Sequence, residues 1–386
     1  MIYSSKAPIE VISPSDGYNY FFGYYDLQPY DEASERHLAH RVAFNDRIPT
    51  AEDKIEVGYI TLKDKTFHKV AESSAWNFQQ GCLLQWFDND SIIYNDFRDG
   101  EYCSVIKNVT TGEERIISAP LAHLSSDRKW GLSLNFPRIW NFRPGYGYVN
   151  TKDPYFDELA PENDGIFLVD IEKNTSKLII NYKQLKEAFP EEPFSLEKLT
   201  VNHVTFNPSA TRFLFLLRNS SPSGKKWGTI LVTANRDGSD MINLTNYEVN
   251  SHYHWKNDRE IMIYSGLPTW GIYFIEDITK KREMLDDELV NADDIHCFYD
   301  KEHTCFIGDG YPAADNIRRI FLYDFETKRS TTVLEIHSEP VSTTDIRCDL
   351  HNRFDPSGKL VSFDSFHSGI RQICQFPFDK KAILEA

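Results

Sequence analysis

An all-β fold, a seven-bladed β-propeller, is what this sequence predicts, and three observations predict it. The first is a strand–turn–strand signature. In Phe354-Asp355-Pro356-Ser357-Gly358-Lys359 a buried-type aromatic precedes a polar turn that Pro and Gly close, and Leu360–Ser365 reads as the returning half-buried strand. The second is recurrence. Tyr30, Trp86, Leu124, Phe206, Trp255 and Tyr299 open the same pattern, which with Phe354 makes seven copies spread over the 386 residues. Their spacing is close to the roughly 40–50 residues of one four-stranded blade, apart from one gap about twice as long. The third is composition: 14% aromatic, with 26 Phe and 20 Tyr, suits strands better than helices. One such unit cannot bury its own apolar face, so the units stack radially.

The elements follow in order. Residues 5–14 (SKAPIEVISP) read as a strand that pairs into the last blade and closes the ring, with Arg371–Phe378 supplying that blade's late strands. A free N-terminal arm is the alternative. After the first motif comes a polar stretch, residues 41–55, and then a strand over Val57–Leu62. Before the second motif, Trp76-Asn77-Phe78-Gln79-Gln80-Gly81 places Gln79 and Gln80 where an inner strand begins, as structural rungs or as pocket donors. The long gap predicts one insertion between blades three and four, about 138–198. It holds Arg138 to Tyr148, an acidic loop to Gly165, a strand over Ile166–Asp170, and a short helix over Tyr182–Phe189 stopped by Pro190. Such insertions map to one face of a repeat scaffold and shape its binding site. No linker interrupts the rest, so residues 1–386 are expected to form a single domain.

Charge and apolar patterning exclude several functions. A net charge of −16 opposes nucleic acid or anionic membrane as a partner, since both attract protein through their negative charge. The longest apolar run, Phe213–Leu217, falls far short of the ~20 residues of a membrane span. MIYSSKAPIEVISPSDG has neither the basic start nor the apolar core of a secretory leader, and the six cysteines lack paired spacing. A cytoplasmic protein with reduced thiols is the expectation.

The chemistry is expected at one repeat position. Three residues before the motif aromatic stand His203, His252, His296 and His351 in blades four to seven, against Leu27, Leu83 and Leu121 in blades one to three. Equivalent positions in successive blades face the same level of the centre, so these imidazoles should converge, either as ligands for Zn²⁺ or Mn²⁺ or as hydrogen-bonded core residues. His254, Cys348 and Asp349 lie beside them. A second group, His123, Asn135, Arg138, Arg143, Tyr146 and Tyr148, clusters in and before the insertion. Two exposed loop arginines so close together in an acidic chain suit a bidentate grip on a carboxylate, or else salt bridges to the acidic stretch Asp153–Asp164.

The strings WNFQQG, SLNF…RPGYGY, SHYHW and CDLHNRFDPSGK resemble the propeller proteins related to oligogalacturonate lyases and propeller ulvan lyases. That resemblance implies a carbohydrate-active metalloenzyme that cleaves uronate-bearing, anionic oligosaccharides by β-elimination. It implies an Arg on the substrate carboxylate, His or Tyr moving protons, and a Mn²⁺ or Zn²⁺ held by histidines, best matched here by His203, His296 and His351, and less closely by His252 and His254. Asp349 departs from the pattern, which places histidine there. In residue terms, His123 is the candidate base with a pKa near 7, Tyr146 or Tyr148 the acid toward the leaving O4, Arg138 and Arg143 the carboxylate clamp, and Gln80 and Asn135 substrate contacts. The competing reading is a non-catalytic propeller that binds a glycan or a protein partner.

Overall fold

The structure, a computed structural model, describes every residue except 192–193, 195–196, 221–227, 246–249, 267 and 313–314, and the backbone alone at 220. It is a seven-bladed β-propeller. Seven antiparallel sheets follow one another along the chain, each built from strands adjacent in sequence except that the sixth and seventh each take in one N-terminal strand. The first, for example, runs through Asn19–Phe21, Arg36–Val42, Ile55–Thr61 and Thr66–Ser73. The chain packs as two compact units. One comprises Met1–Tyr94, Ile106–Arg115 and Asp286–Ala386, the other Asn95–Val105 and Ile116–Leu285, so the strands of the second blade belong to both.

In five of the seven blades the repeated turn has the same physical cause. In the seventh blade the Asp355 carboxylate accepts from the backbone amides of Ser357, Lys359 and Leu360 at 3.1, 2.8 and 2.7 Å, while Gly358 takes the left-handed conformation the turn requires. The residue after the motif position does the same elsewhere: Asp31 holds the amides of Glu35 and Arg36, Asn207 those of Thr211 and Arg212, and Asp300 that of Cys305. Ser125 does so through its hydroxyl, on Trp130. With the amides tied, the preceding residue turns inward, and all seven motif residues are buried.

Closure is as the sequence predicts. Glu10–Val11 pairs with Gln375 and Cys374 as the outermost strand of the seventh blade, and Ile12 continues the contact through its amide on the Ile373 carbonyl, at 2.9 Å. Ile2–Ser5 adds a fifth strand to the sixth blade along Arg329–His337. The N-terminus is therefore paired twice, not a free arm.

In the first unit the core runs from the sixth blade into the seventh, through Ile307, Leu322, Leu334, Phe354 and Phe363, with Ile12, Tyr20, Ala39 and Ile373 packed as a further cluster. In the second unit Leu214, Leu216, Leu231, Tyr253, Trp255 and Ile263 fill the space between the fourth and fifth blades.

The inserted residues fall into two pieces. The third blade is His123–Leu124, Trp130–Ser133, Gly165–Asp170 and Thr175–Asn181, and residues 134–164 loop out between its second and third strands. They contain helix α1, Phe136–Phe142, whose first turn is capped by Asn135. Gly147 packs so closely on it that a Cβ would lie 2.1 Å from the Trp140 nitrogen. The second piece opens with helix α2, Tyr182–Ala188, started by the Asn181–Gln184 capping box and ending just before Pro190.

Candidate functional site

The first unit brings two of the repeat-position histidines together. His296 opens the inner strand His296–Tyr299, and His351 lies just before the inner strand Arg353–Phe354. Their rings meet edge to face, centroids 4.5 Å apart. His351 is held in the left-handed backbone conformation at φ 45°, as are Leu83 (54°) and His203 (51°) at the same repeat position. This local kink turns the side chain out of the regular strand alternation.

The tautomer of His351 follows from its partner. A carbonyl can only accept, so Nδ1 must donate to the Gly23 oxygen, at 2.7 Å, which leaves the Nε2 lone pair free. That Nε2 is buried, has no hydrogen-bond partner among the described residues, and lies 3.9 Å from Oδ2 of Asp349. Donor atoms of His296, Asp349 and His351 all lie within 4.8 Å of one another, and all three residues are buried. A neutral imidazole with its tautomer fixed by a carbonyl, a carboxylate and a second imidazole are a donor set that fits a divalent cation such as Zn²⁺ or Mn²⁺.

Charge around the three is dense. Arg318 Nη1 lies 2.8 Å from Oδ1 of Asp349, and Arg347 Nε 2.7 Å from Oδ2. Burial opposes ionisation of Asp349, but the two guanidiniums outweigh it and hold the carboxyl well below its usual range. His296 Nδ1 stands 3.3 Å from Oδ2 of Asp309. Burial again works against the charged imidazole, yet Asp309, with Asp349 and Asp294, raises its pKa above the ordinary value. Burial and the neighbouring His296 drive His351 the other way, far below 6.5. Tyr24 packs on His351 at 5.1 Å, and Tyr25 and Tyr311 on His296 at 5.1 and 5.7 Å. Gln79 reaches the same locality, donating to the Arg347 carbonyl at 2.8 Å, while the Gln80 amide is tied to Asn77.

The second unit gathers a different set. Tyr146 is buried, with the Arg143 guanidinium 4.5 Å over its ring and His203 edge-on at 5.2 Å. His252 is buried in the fifth blade, and His254 Nδ1 meets the Trp255 carbonyl at 2.9 Å.

Other expectations here are corrected. Arg138 is not an exposed loop residue: it is fully buried, stacks on Tyr182, pairs with Asp153, and donates to the carbonyls of Leu199, Tyr155, Glu158 and Leu159. It ties the inserted loop down. His123 lacks a pKa near 7, because burial and nearby Arg128 push it down to about 3, and its Nδ1 already accepts from the Phe206 amide. Tyr148 stacks in the core on Phe136 and accepts from Asn95, and Asn135 donates to Asp153 and Asp164.

No family model and no curated protein matches the sequence. Solved structures do match. An oligogalacturonate lyase in complex with manganese superposes with a TM-score of 0.71 at 15% identity, covering 99% of this chain and 96% of that one. The oligogalacturonate lyase of Vibrio parahaemolyticus gives 0.69 at 13%, with the same coverage. The chain has the fold of the oligogalacturonate lyases. A structure from a study of two prolyl endopeptidases also aligns, with a TM-score of 0.51 at 8% identity over 90% of this chain and 45% of that one. The ring alone therefore does not specify the reaction.

Sequence reasoning missed Arg318, Arg347, Tyr24 and Tyr25. Arg347 had a signal, two residues from Asp349 in the seventh motif; Arg318 had none.

Proposed function

We propose that the protein is a carbohydrate-active metalloenzyme, a lyase that cleaves uronate-bearing oligosaccharides by β-elimination. One observation carries this reading: the buried Nε2 of His351, without a hydrogen-bond partner among the described residues and with its tautomer set by Gly23, lies beside His296 and Asp349 in a chain with the oligogalacturonate lyase fold. In the reaction a base takes the C5 proton, the C5–H electron pair becomes the C4–C5 double bond, the C4–O4 bond breaks, and O4 leaves with a proton. Neutralising the uronate carboxylate makes C5–H acidic enough to remove. His296, His351 and Asp349 would hold a divalent cation, which when bound supplies Lewis-acid charge toward that carboxylate.

The chain's own residues prepare the rest. Gly23 fixes His351, and Asp309 orients His296 through Nδ1. Tyr24, Tyr25 and Tyr311 crowd water away from the imidazoles. In the second unit Arg143, Tyr146 and His203 pack on one another, and we assign this separate cluster to the handling of substrate charge.

The test is ultraviolet absorbance of the unsaturated uronate product with oligogalacturonides and other uronate glycans, before and after chelation and with Mn²⁺ or Zn²⁺ restored. Cation-dependent product supports the reading. Absence of unsaturated product from every uronate glycan, with binding retained, refutes it in favour of a glycan-binding module, which the full engagement of Asp349 by two arginines would serve.

A further inference from the structure

The second unit holds a cleft that the proposed reaction does not use. Its volume is about 480 Å³, within the usual range for a small-molecule site, and all of its lining falls inside that unit. Tyr102, Phe136, Tyr155 and Phe167 give it aromatic walls. Two of these rings are fixed from behind. The Tyr102 hydroxyl accepts from the Asn150 amide at 2.9 Å, its ring lies 5.5 Å from that of Tyr148, and Phe136 stacks on Tyr148 at 4.3 Å. A wall held in this way is built before a ligand arrives, so little ordering is lost on binding.

One buried charge also lines the cleft. Asp164 is only 2% exposed, and its donors are neutral: the Gly165 amide on Oδ1 and the Asn135 side-chain amide on Oδ2, both at 2.7 Å. The same Asn135 group serves Asp153 at 2.9 Å, but Asp153 has the Arg138 guanidinium as well, at 3.3 Å. Two buried carboxylates thus share one amide, and among the described residues only Asp153 has an ion pair. Burial, reinforced by Asp153 and opposed by Asn135 and Arg138, lifts the Asp164 carboxyl to about 6. At pH 7 it is still ionised, and lacks a counter-charge of its own. The neighbouring groups do not supply one. Burial keeps the Tyr182 and Tyr102 phenols neutral, Lys198 acts on Asp153, and the exposed Glu101 and Lys152, which also line the cleft, offset each other.

What this arrangement lacks is a positive charge with protons to donate, carried on a body that packs against rings. An ammonium group brings three donors to the open lone pairs of a carboxylate, and aromatic faces attract the same charge. A divalent metal is served poorly, because it asks for several oxygen ligands and Asp164 is the one buried carboxylate of the lining among the described residues. We propose that the cleft binds a small protonated amine on a ring or other apolar body, its ammonium on Asp164 and its body against Tyr102, Phe136, Tyr155 and Phe167. This site does not rest on the proposed function, and the failure of either leaves the other standing.

The test is calorimetry on the full chain with benzylamine, protonated at neutral and mildly acidic pH, and with benzyl alcohol as its uncharged counterpart. Benzylamine should bind, and the alcohol should bind at least about tenfold more weakly, the smaller end for a hydrogen bond to a charged group. The amine needs ionised Asp164, so its affinity is complete above the carboxyl's pKa and is lost as pH falls through about 6. Between about pH 7.5 and pH 5 it should drop about tenfold, while Asp164→Asn should bind weakly at both. Equal binding of amine and alcohol overturns the proposal, as do absence of benzylamine binding and a folded Asp164→Asn that matches the parent. CaCl₂ that binds more tightly than benzylamine and excludes it also overturns the proposal, in favour of a metal site. If Asp164→Asn does not fold, the pH dependence of the parent decides, and a flat profile refutes the assignment.

Discussion

Replacing Arg138 with alanine should destabilise the protein rather than merely disarm a loop. The side chains of Arg138 and Asp153 are fully buried and stand 3.3 Å apart, and four backbone carbonyls depend on the same guanidinium. Truncation leaves Asp153 charged in the interior, with only Asn135 and the Tyr155 amide among the described residues still donating to it. Breaking one side of a buried pair costs about 3–5 kcal/mol. With about 2.1 cal/mol/K of unfolding entropy per residue, the 386 residues give roughly 0.8 kcal/mol/K, so the thermal midpoint should fall by about 4–6 °C. Differential scanning calorimetry of Arg138→Ala measures this directly. A double-mutant cycle with Asp153→Asn should return a coupling above about 1 kcal/mol, because the two residues share one network. A midpoint within about 1 °C of the parent would refute the reasoning and restore Arg138 to the list of candidate substrate ligands.

The remaining expectations concern the candidate site and its supports. His351→Gln keeps a donor for the Gly23 carbonyl but removes the buried imidazole lone pair, so Mn²⁺ affinity measured by calorimetry should drop by at least about tenfold with little change in unfolding; unchanged affinity would remove His351 from the ligand set. Arg143→Ala should lower kcat on a uronate oligosaccharide by at least ~100-fold, the scale of a lost transition-state donor, and full activity would move that role elsewhere. Asp164 gives a pH signature. Burial raises its carboxyl from 3.8 to about 6, with Asn135 and Arg138 only partly opposing the shift. The folded state therefore holds the proton more tightly than the unfolded chain. That contribution is complete below the unfolded pKa and is lost as pH rises through about 6, amounting to about 3 kcal/mol. Urea midpoints of Asp164→Asn should vary less than the parent's between about pH 4 and pH 7, and parallel profiles would contradict the assignment.

How much of this was legible in the sequence depends on the range of the interaction involved. The blades were legible because their determinant is local: Asp31, Asn207, Asp300 and Asp355 each fold a turn from amides within five residues of themselves, so aromatic–turn–strand text maps directly onto hairpins. The closing strand was legible for a related reason, since residues 5–14 alternate as a strand and a ring offers one open edge to fill. Counting back three residues from the motif also found His296 and His351, because repeats preserve position. What that counting could not show is direction. Whether a side chain at that position meets a carbonyl, a carboxylate or a ring is settled by contacts with residues such as Gly23 and Arg318, which are distant in sequence. The insertion misled for the same reason. Two arginines among turn-forming glycines look solvent-facing in text, yet Arg138 is swallowed by carbonyls of the loop that follows it and of the next blade's first strand.

Asp349 is where the two kinds of information meet. The resembled pattern puts histidine at this position, and a carboxylate in its place is no simple exchange of one ligand for another. An ionised carboxylate with no exposed side-chain surface costs several kcal/mol unless opposite charge accompanies it. Here the accompaniment is visible as Arg318 and Arg347, one on each oxygen. Histidine returned to position 349 on its own would leave both guanidiniums in the interior without their counter-charge, so the three residues stand or fall as a set. The substitution that weakens the match to a histidine-rich metal pattern is thus the same one that installs two rigid cationic forks beside the remaining histidines.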